Sequence, residues 1–296
     1  MTQSQNQKKQ YRCKPEWLKA PLPGGERYRQ VRAAVNGHNL ATVCSEARCP
    51  NLGECWNSGT ATFMILGKTC TRGCAFCAVS RGDGEPIDSG EAARVSAAVE
   101  AMKLDYVVIT SVTRDDLVDG GAQQFADTID AVKGLRHNVS VEVLTPDYIG
   151  APLRRVLDAA PTVFAHNIET VERLSAAMRH ARFNYRRSLD TLRAAADFGI
   201  HVITKSSIML GLGETRDDVR SSMRHLREVG VQILVLGQYL QPTKAHAPVK
   251  TFVSPSEFEA YAQLGADMGF EFVAAAPLAR TSYRAAEAYV SSRHVK

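Results

Sequence analysis

From about residue 60 onward the chain alternates short apolar runs with longer segments in which apolar residues return every three or four positions. The runs cover 60–66, 106–112, 140–145, 163–169, 201–210 and 232–240, and a shorter one covers 270–274. They are rich in Val, Ile, Thr, Phe and Leu, and most are nearly continuous in apolar character rather than alternating. Strands buried on both faces of a parallel sheet read this way. Two of the intervening helices carry clear end signals. Thr215 is placed to cap a helix with Val219, Met223 and Leu226 on one face and Gly230 just past its end. Ser254-Pro255-Ser256-Glu257 has the form of a capping box with proline at the first helical position, leading Phe258, Tyr261 and Leu264 inward and stopping at Gly269.

Strand and helix alternation of this kind predicts right-handed βα units. Six units, with 270–274 as a further strand, suit an α/β fold of the partial (β/α)6 TIM-type barrel class, since eight units closed into a barrel typically take ~250 residues. Functional side chains are then expected at the C-terminal ends of the strands. Residues 1–57 read as an N-terminal extension wrapping one mouth of the barrel, 58–275 as the barrel, and 276–296 as a C-terminal segment.

Composition narrows the class. With 296 residues, 45% of them hydrophobic and 23% charged, the chain is an ordinary globular protein. No run reaches the roughly 18 apolar residues of a membrane span, and the polar start MTQSQNQKKQ has no apolar core of a secretory signal, so no membrane and a cytoplasmic location are expected. A net charge of +5 is too weak to indicate nucleic acid.

The cysteines change the picture. Six of the seven, Cys44, Cys49, Cys55, Cys70, Cys74 and Cys77, lie close together, and none follows Cys77. A disulfide scaffold would spread them along a secreted chain, so this clustering points to metal. Cys13 stands apart and reads as a spare thiol. Cys70, Cys74 and Cys77 have the spacing C-x3-C-x2-C in the loop after the first strand. Three thiolates can hold three irons of a four-iron cluster and leave the fourth open to a ligand. Zinc in a ribbon or knuckle is the bland alternative, but it usually wants two ligand pairs. Cys44, Cys49 and Cys55, spaced C-x4-C-x5-C, form a second triplet that again lacks a fourth cysteine.

Cys70-Thr-Arg-Gly-Cys74-Ala-Phe-Cys77 resembles the defining motif of the radical S-adenosylmethionine superfamily, in which the cofactor chelates the open iron. The resemblance implies cofactor contacts from Thr110 and Ser111 at the end of strand two, from Asn167 at the end of strand four, and from Lys205, Gly211 and Glu214 in the stretch ending Ser207-Ile-Met-Leu-Gly-Leu-Gly-Glu. Ser207 stands where that family usually has glycine. CSEARCPNLGECW, CTRGCAFC and Arg280-Thr-Ser-Tyr283 together resemble lipoyl synthase, and Lys14-Pro-Glu-Trp-Leu, Thr110-Ser-Val-Thr-Arg-Asp-Asp, Asp119-Gly-Gly-Ala and His166-Asn-Ile-Glu-Thr extend the likeness. Its implication is a second, auxiliary 4Fe-4S cluster held by Cys44, Cys49, Cys55 and Ser282. Thr281 replaces the first serine of the family's Arg-Ser-Ser-Tyr.

By the same resemblance, two 4Fe-4S clusters and S-adenosylmethionine serve sulfur insertion at C6 and C8 of an octanoyl chain. That chain is carried on a lysine of a lipoyl carrier domain, such as the E2 of 2-oxoacid dehydrogenases or the glycine cleavage H protein. An electron donor such as ferredoxin or flavodoxin and an iron–sulfur carrier protein are implied partners. Arg179, Arg182, Arg186 and Arg187 are a candidate surface for steering an acidic carrier domain. A methylthiolating radical enzyme and a zinc-stabilised nucleic-acid-binding protein are the competing readings.

Overall fold

The apolar strands are covered on both faces because they divide their side chains between two cores, one outside the sheet and one inside a barrel. In a computed structural model, which describes residues 14–20, 22–58, 61–199 and 202–282, the elements run in chain order as follows. An N-terminal part contains α1 (Glu26–Gly37), β1 (Ala41–Thr42), α2 (Val43–Glu46) and α3 (Leu52–Asn57). Then come β2 (Thr62–Ile65), the short β3 (Thr69–Cys70) and β4 (Ser80–Arg81), α4 (Glu91–Met102), β5 (Tyr106–Ser111), α5 (Ala122–Lys133) and β6 (Ser140–Leu144). The rest comprises α6 (Ala151–Asp158), β7 (Val163–Ala165), α7 (Glu172–Met178), α8 (Tyr185–Phe198), β8 (Ile203–Leu210), α9 (Arg216–Glu228), β9 (Ile233–Gln238), α10 (Pro255–Asp267) and β10 (Phe272–Ala275).

The main sheet has the order β1-β2-β5-β6-β7-β8-β9-β10. From β2 onward every neighbouring pair is parallel, whereas β1 is antiparallel to β2. The edge strands β1 and β10 do not pair with each other, so the barrel is open. Six helical crossovers therefore join seven parallel strands, and the expected run at 270–274 is the last of them, β10. The antiparallel β1, the first strand of the extension, was invisible to periodicity because it is only two residues long.

Within β5, Val107 and Ile109 face the helices and join the large outer core, while Tyr106 and Val108 face inward against Val163, Ile203 and Ile233. This inner cluster plugs the barrel floor. Glu142, in register with Val108 and Val163, and Lys205, in register with Ile233, set a paired acid and base into this layer, and the inward positions nearer the mouth, Thr110 and Ser207, are polar. That change from apolar to polar along one strand face builds a dry base under a reactive mouth. Both expected caps form: Ser254 makes the expected capping box with Glu257, and Thr215 makes one with Asp218 as well.

The fourth strand departs from expectation. The pattern predicts 163–169, but β7 ends at Ala165. The chain bulges at 166–168 and rejoins at Glu169, whose N–H donates to Ser207 O at 3.1 Å and which has a positive φ of 66°. A non-glycine residue in that region is uncommon, and such bulges often re-aim side chains at functional sites.

After β10 the chain folds back over the barrel mouth. Ala276 N–H donates to Leu236 O and Gln238 N–H donates to Pro277 O, both at 3.1 Å. The crossing needs Gly237, because a Cβ there would sit 2.0 Å from Ala279 O.

Candidate active site

The loop carrying the second triplet is laced to the strand ends around it. Thr71 N–H and Oγ1–H both donate to Thr113 O (3.0 and 2.9 Å), and Ala75 N–H donates to Met178 O at 2.8 Å. Arg72, between the first two cysteines, is buried and bonds Asp115 at 2.7 and 2.8 Å and Asp147 at 2.9 Å. The guanidinium groups of Arg72 and Arg179 both lie over the Phe183 ring, each 4.1 Å from its centroid. Backbone N–H groups point at two of the sulfurs, Arg72 N–H at Cys70 Sγ and His180 N–H at Cys74 Sγ, both at 3.4 Å. Donors of this kind stabilise thiolate charge and tune a metal centre. Burial pushes the Cys74 thiol up and the Cys77 thiol to about 12, so neither ionises unaided at neutral pH.

Cys70, Cys74 and Cys77 open onto a cavity of about 210 Å³ at the C-terminal ends of the strands. Thr110, Ser111 and Asn167 line it, as do His166, Glu169 and Arg179. Val43 and Ala47 reach the same cavity from the N-terminal part. His166 spans the wall, with Nδ1 2.9 Å from Thr145 O and Nε2 2.9 Å from Ser188 Oγ. Burial, and then the charge of Arg179, lowers its pKa to about 4 and keeps the imidazole neutral. Burial raises the Glu169 pKa, opposed by Arg179 and by the hydrogen bond from Asn167 Nδ2 at 3.2 Å.

The first triplet lies in a second cavity. Thr42 caps α2, its hydroxyl accepting from Ser45 N–H, and presents Cys44. Arg48, at a φ of +52°, turns the chain so that Cys49 follows, and α3 supplies Cys55. Cys44, Cys49 and Cys55 line this cavity with Asn51, Thr62, Arg280 and Ser282. Asn51 Nδ2 donates to Leu278 O at 2.6 Å and so joins the N-terminal part to the C-terminal segment. Burial raises the Cys44 and Cys49 thiols, the latter opposed by the charge of Arg280. Burial in turn lowers the Arg280 pKa. Its guanidinium donates to Ala279 O at 2.7 Å, and among the described residues it has no ion pair with a carboxylate. The Trp56 indole N–H is directed at the Cys44 sulfur, and the Oδ1 of Asn51 finds no hydrogen-bond partner among the described residues. Among the described residues no three His, Cys, Asp or Glu side chains converge closely enough to share a single ion. Thiolates that each bind a different iron of a cluster need no such convergence.

Three sequence expectations meet a different placement. Lys205 lies in the barrel interior below the cavity, two residues or about 6.6 Å deeper than Ser207. There its Nζ bonds both Glu142 oxygens at 2.8 and 2.9 Å, and Glu142 also accepts from Tyr106 OH. Gly211 and Glu214 do not line the cavity either. The Glu214 carboxylate accepts from the N–H groups of Gly211 and Leu212 in its own turn, and Gly211 is needed because a Cβ would sit 2.4 Å from Thr251 O. Arg179 is not a steering residue on the surface: α7 stops at Met178, and the side chain turns into the mouth, donating to Ser188 Oγ at 2.8 Å. Its companions Arg182, Arg186 and Arg187 are exposed but pair with Asp115, Glu172 and Asp147. Cys13 and Tyr283 lie outside the described residues.

Sequence reading overlooked His166, Glu169 and Arg179 as cavity residues. A signal existed for the first two in the run His166-Asn-Ile-Glu-Thr, but only the bulge after β7 aims them inward.

Residues 64–226 match the radical SAM superfamily, and residues 2–49 match the N-terminal domain of lipoyl synthase of that family. A lipoyl synthase of Methanocella arvoryzae is 50% identical over 281 residues, covering 94% of this chain and 95% of that protein. One of Anaeromyxobacter dehalogenans is 51% identical over 280 residues, covering 94% and 95%. A mitochondrial lipoyl synthase of Vitis vinifera is 47% identical over 294 residues, covering 96% of this chain and 75% of its own. Among solved structures, methylornithine synthase superposes with a TM-score of 0.56 at 13% identity, covering 86% of this chain and 72% of that one. An FeFe-hydrogenase maturase of Carboxydothermus hydrogenoformans gives 0.58 at 14% identity, covering 71% and 52%. Those two likenesses carry the fold alone. No helix among the described residues is long and apolar enough to cross a membrane. The agreement with the curated relatives covers 94% or more of the chain, well beyond the barrel, and that places the protein in one family: the chain belongs to the lipoyl synthases, radical S-adenosylmethionine enzymes that insert sulfur.

Proposed function

We propose that Cys70, Cys74 and Cys77 hold the 4Fe-4S cluster that binds S-adenosylmethionine, and that Cys44, Cys49, Cys55 and Ser282 hold an auxiliary 4Fe-4S cluster. The chain then adds two sulfur atoms, at C6 and C8, to an octanoyl chain on a lysine of a lipoyl carrier domain. The observation that carries this reading is the presence of Ser282 in one cavity with three cysteines more than two hundred residues away in sequence. Sequence spacing alone could not have brought a hydroxyl to that place.

The residues fit the groups assigned to them. A largely desolvated guanidinium without a carboxylate is costly, and an anionic thiolate cluster in the first cavity would be the counterpart that the half-buried Arg280 lacks. The Cys44 and Cys49 thiols, raised by burial, would bind metal with loss of their protons, which removes the desolvation cost of the free thiolate. In the barrel cavity, the N–H groups aimed at Cys70 and Cys74 serve the same end. Bound there, the cofactor and the clusters supply a radical able to break unactivated C–H bonds and the sulfur that replaces the hydrogen.

The protein's own part is position and exclusion. Thr110, Ser111 and Asn167 offer hydroxyl and amide groups to the polar parts of the cofactor. Arg72 locks the loop carrying Cys70, Cys74 and Cys77 to the barrel through two carboxylates, fixing the three cysteines relative to those groups. His166, held neutral, and the floor plug of Tyr106, Val108, Val163, Ile203 and Ile233 keep the base of the site dry and free of mobile protons. The N-terminal part contributes Val43 and Ala47 to the same cavity, apolar surface against which an alkyl chain would lie. The carrier domains that fit are the E2 of 2-oxoacid dehydrogenases and the glycine cleavage H protein. A small electron donor such as ferredoxin or flavodoxin and an iron–sulfur carrier for rebuilding complete the partners.

Iron and sulfide content after anaerobic reconstitution tests the assignment. About eight irons in the native chain should fall to about four in the Cys44→Ala/Cys49→Ala/Cys55→Ala variant, with S-adenosylmethionine cleavage retained and sulfur insertion lost. About four irons in both proteins would overturn the auxiliary site.

A further inference from the structure

Two departures from the family pattern, Ser207 and Thr281, touch each other. Thr281 Oγ1 donates to Ser207 Oγ at 2.7 Å and accepts from Asn167 Nδ2 at 3.0 Å, with Asn167 Oδ1 at 3.2 Å. All three side chains are buried. Asn167 lines the barrel cavity, and Ser282, the next residue after Thr281, lines the auxiliary cavity. Consecutive residues of one segment thus engage two different sites.

The segment has few other anchors near this point. Upstream, the Gly237 notch, the two backbone bonds of Ala276 and Gln238, and Asn51 Nδ2 on Leu278 O hold residues 276–279. Arg280 bonds the carbonyl of its neighbour Ala279, which ties it to the segment and not to the barrel. The Thr281 hydroxyl is therefore the last described polar link between the segment and the barrel wall before Ser282.

We propose that Thr281 is the positioning residue for Ser282: its hydroxyl pins the C-terminal segment to Asn167 and Ser207, and the strength of that pin sets how readily Ser282 leaves the cysteine cavity. The proposal rests on the reading of Ser282 as an iron ligand. An oxygen donor is a weaker partner than thiolate for iron in such a cluster, so its retention depends on how firmly the backbone presents it. Loss of Ser282 would leave one iron of such a cluster without its protein ligand, so the pin would bear on the sulfur-delivering half of the reaction. Because Asn167 belongs to the cofactor cavity as well, the same hydroxyl links the wall of one site to a ligand of the other.

The test is the rate at which the reconstituted, dithionite-reduced full chain gives up iron to an excess of a ferrous chelator. It compares wild type with Thr281→Val, Thr281→Ser and Ser282→Ala, each checked for an unchanged circular dichroism spectrum. Valine keeps the shape of threonine but strands the Asn167 and Ser207 groups. A fast phase of about one iron in about eight, on the order of tenfold faster than in wild type, is expected. Thr281→Ser restores the hydroxyl and should release within about twofold of wild type. Ser282→Ala should show the fast phase whatever residue 281 is.

A fast Ser282→Ala with a Thr281→Val indistinguishable from wild type overturns the pin and leaves the ligand assignment standing. So does a Thr281→Ser as fast as Thr281→Val, since the hydroxyl would then not be the cause. A Ser282→Ala that releases iron like wild type overturns the ligand reading, and the pin with it.

Discussion

Gly237→Ala should detach the C-terminal segment while leaving the barrel intact. Gly237 lies within β9, and its φ is outside the left-handed region, so alanine brings no backbone strain there. The added Cβ would stand 2.0 Å from Ala279 O and 3.0 Å from its carbonyl carbon, and these are backbone atoms that cannot rotate aside. Restoring even the shortest tolerated approach requires a displacement of about 1 Å. Overpacking of this order costs roughly 1–3 kcal/mol. The bonds holding the segment are those of Ala276, Gln238, Asn51 and Thr281, each worth about 1 kcal/mol net. The clash therefore equals one to three of them, and lifting the segment is easier than distorting a sheet paired along all of β9. The opening of residues 276–282 should become about 5- to 150-fold more populated, from the same 1–3 kcal/mol.

Hydrogen exchange reads this directly. The amides of Gln238 and Ala276 should lose protection, while those of β8 keep theirs. Cleavage by trypsin after the half-buried Arg280 should accelerate, and iron content after reconstitution should fall from about eight toward about four. The melting temperature should move little, at roughly 2–4 °C per kcal/mol for a chain of this order. Full protection at Gln238 and Ala276, with iron unchanged, would refute the notch.

Two further outcomes follow from buried groups. Lys205→Met leaves Glu142 buried without its counter-charge and should cost about 3–5 kcal/mol in urea unfolding, whereas Lys205→Met/Glu142→Gln, which keeps an acceptor for Tyr106, should recover most of it. The double variant should also bind S-adenosylmethionine like wild type, and a large loss of affinity would return Lys205 to the cofactor site. His166 stays neutral in the folded chain down to about pH 4, while the unfolded chain takes up its proton below about 6.5. The unfolded state then binds more protons between those values, so stability should fall as pH drops from 6.5 to 4, by up to about 1.4 kcal/mol per pH unit, and level off below. Urea midpoints across that range for wild type and His166→Gln check this, and parallel curves would contradict it.

Much was legible along the chain itself. Buried strands of a parallel barrel must be apolar on both faces, so their runs stand out, and β2, β5, β6, β8 and β9 lie where the pattern put them to within a few residues. The helix starts at Thr215 and Ser254 are local chemistry between residues three apart, and they needed nothing from the rest of the fold. Cluster cysteines must share short loops, so both triplets were equally plain, and the second could be placed at the end of a strand. What sequence could not hold was depth and direction. Lys205 and Ser207 differ by two positions on one strand, yet one is sealed under the cavity and the other meets the C-terminal segment, because strand register decides how far each side chain lies from the mouth. Arg179 looked like its exposed neighbours until the end of α7 turned it inward. The bulge at 166–168, which aims His166, Asn167 and Glu169, leaves no periodic trace. Above all, the meeting of Cys44, Cys49 and Cys55 with Ser282 joins the two ends of the described chain, and such a contact exists only when an open barrel, a glycine notch and Asn51 bring those ends over the same mouth.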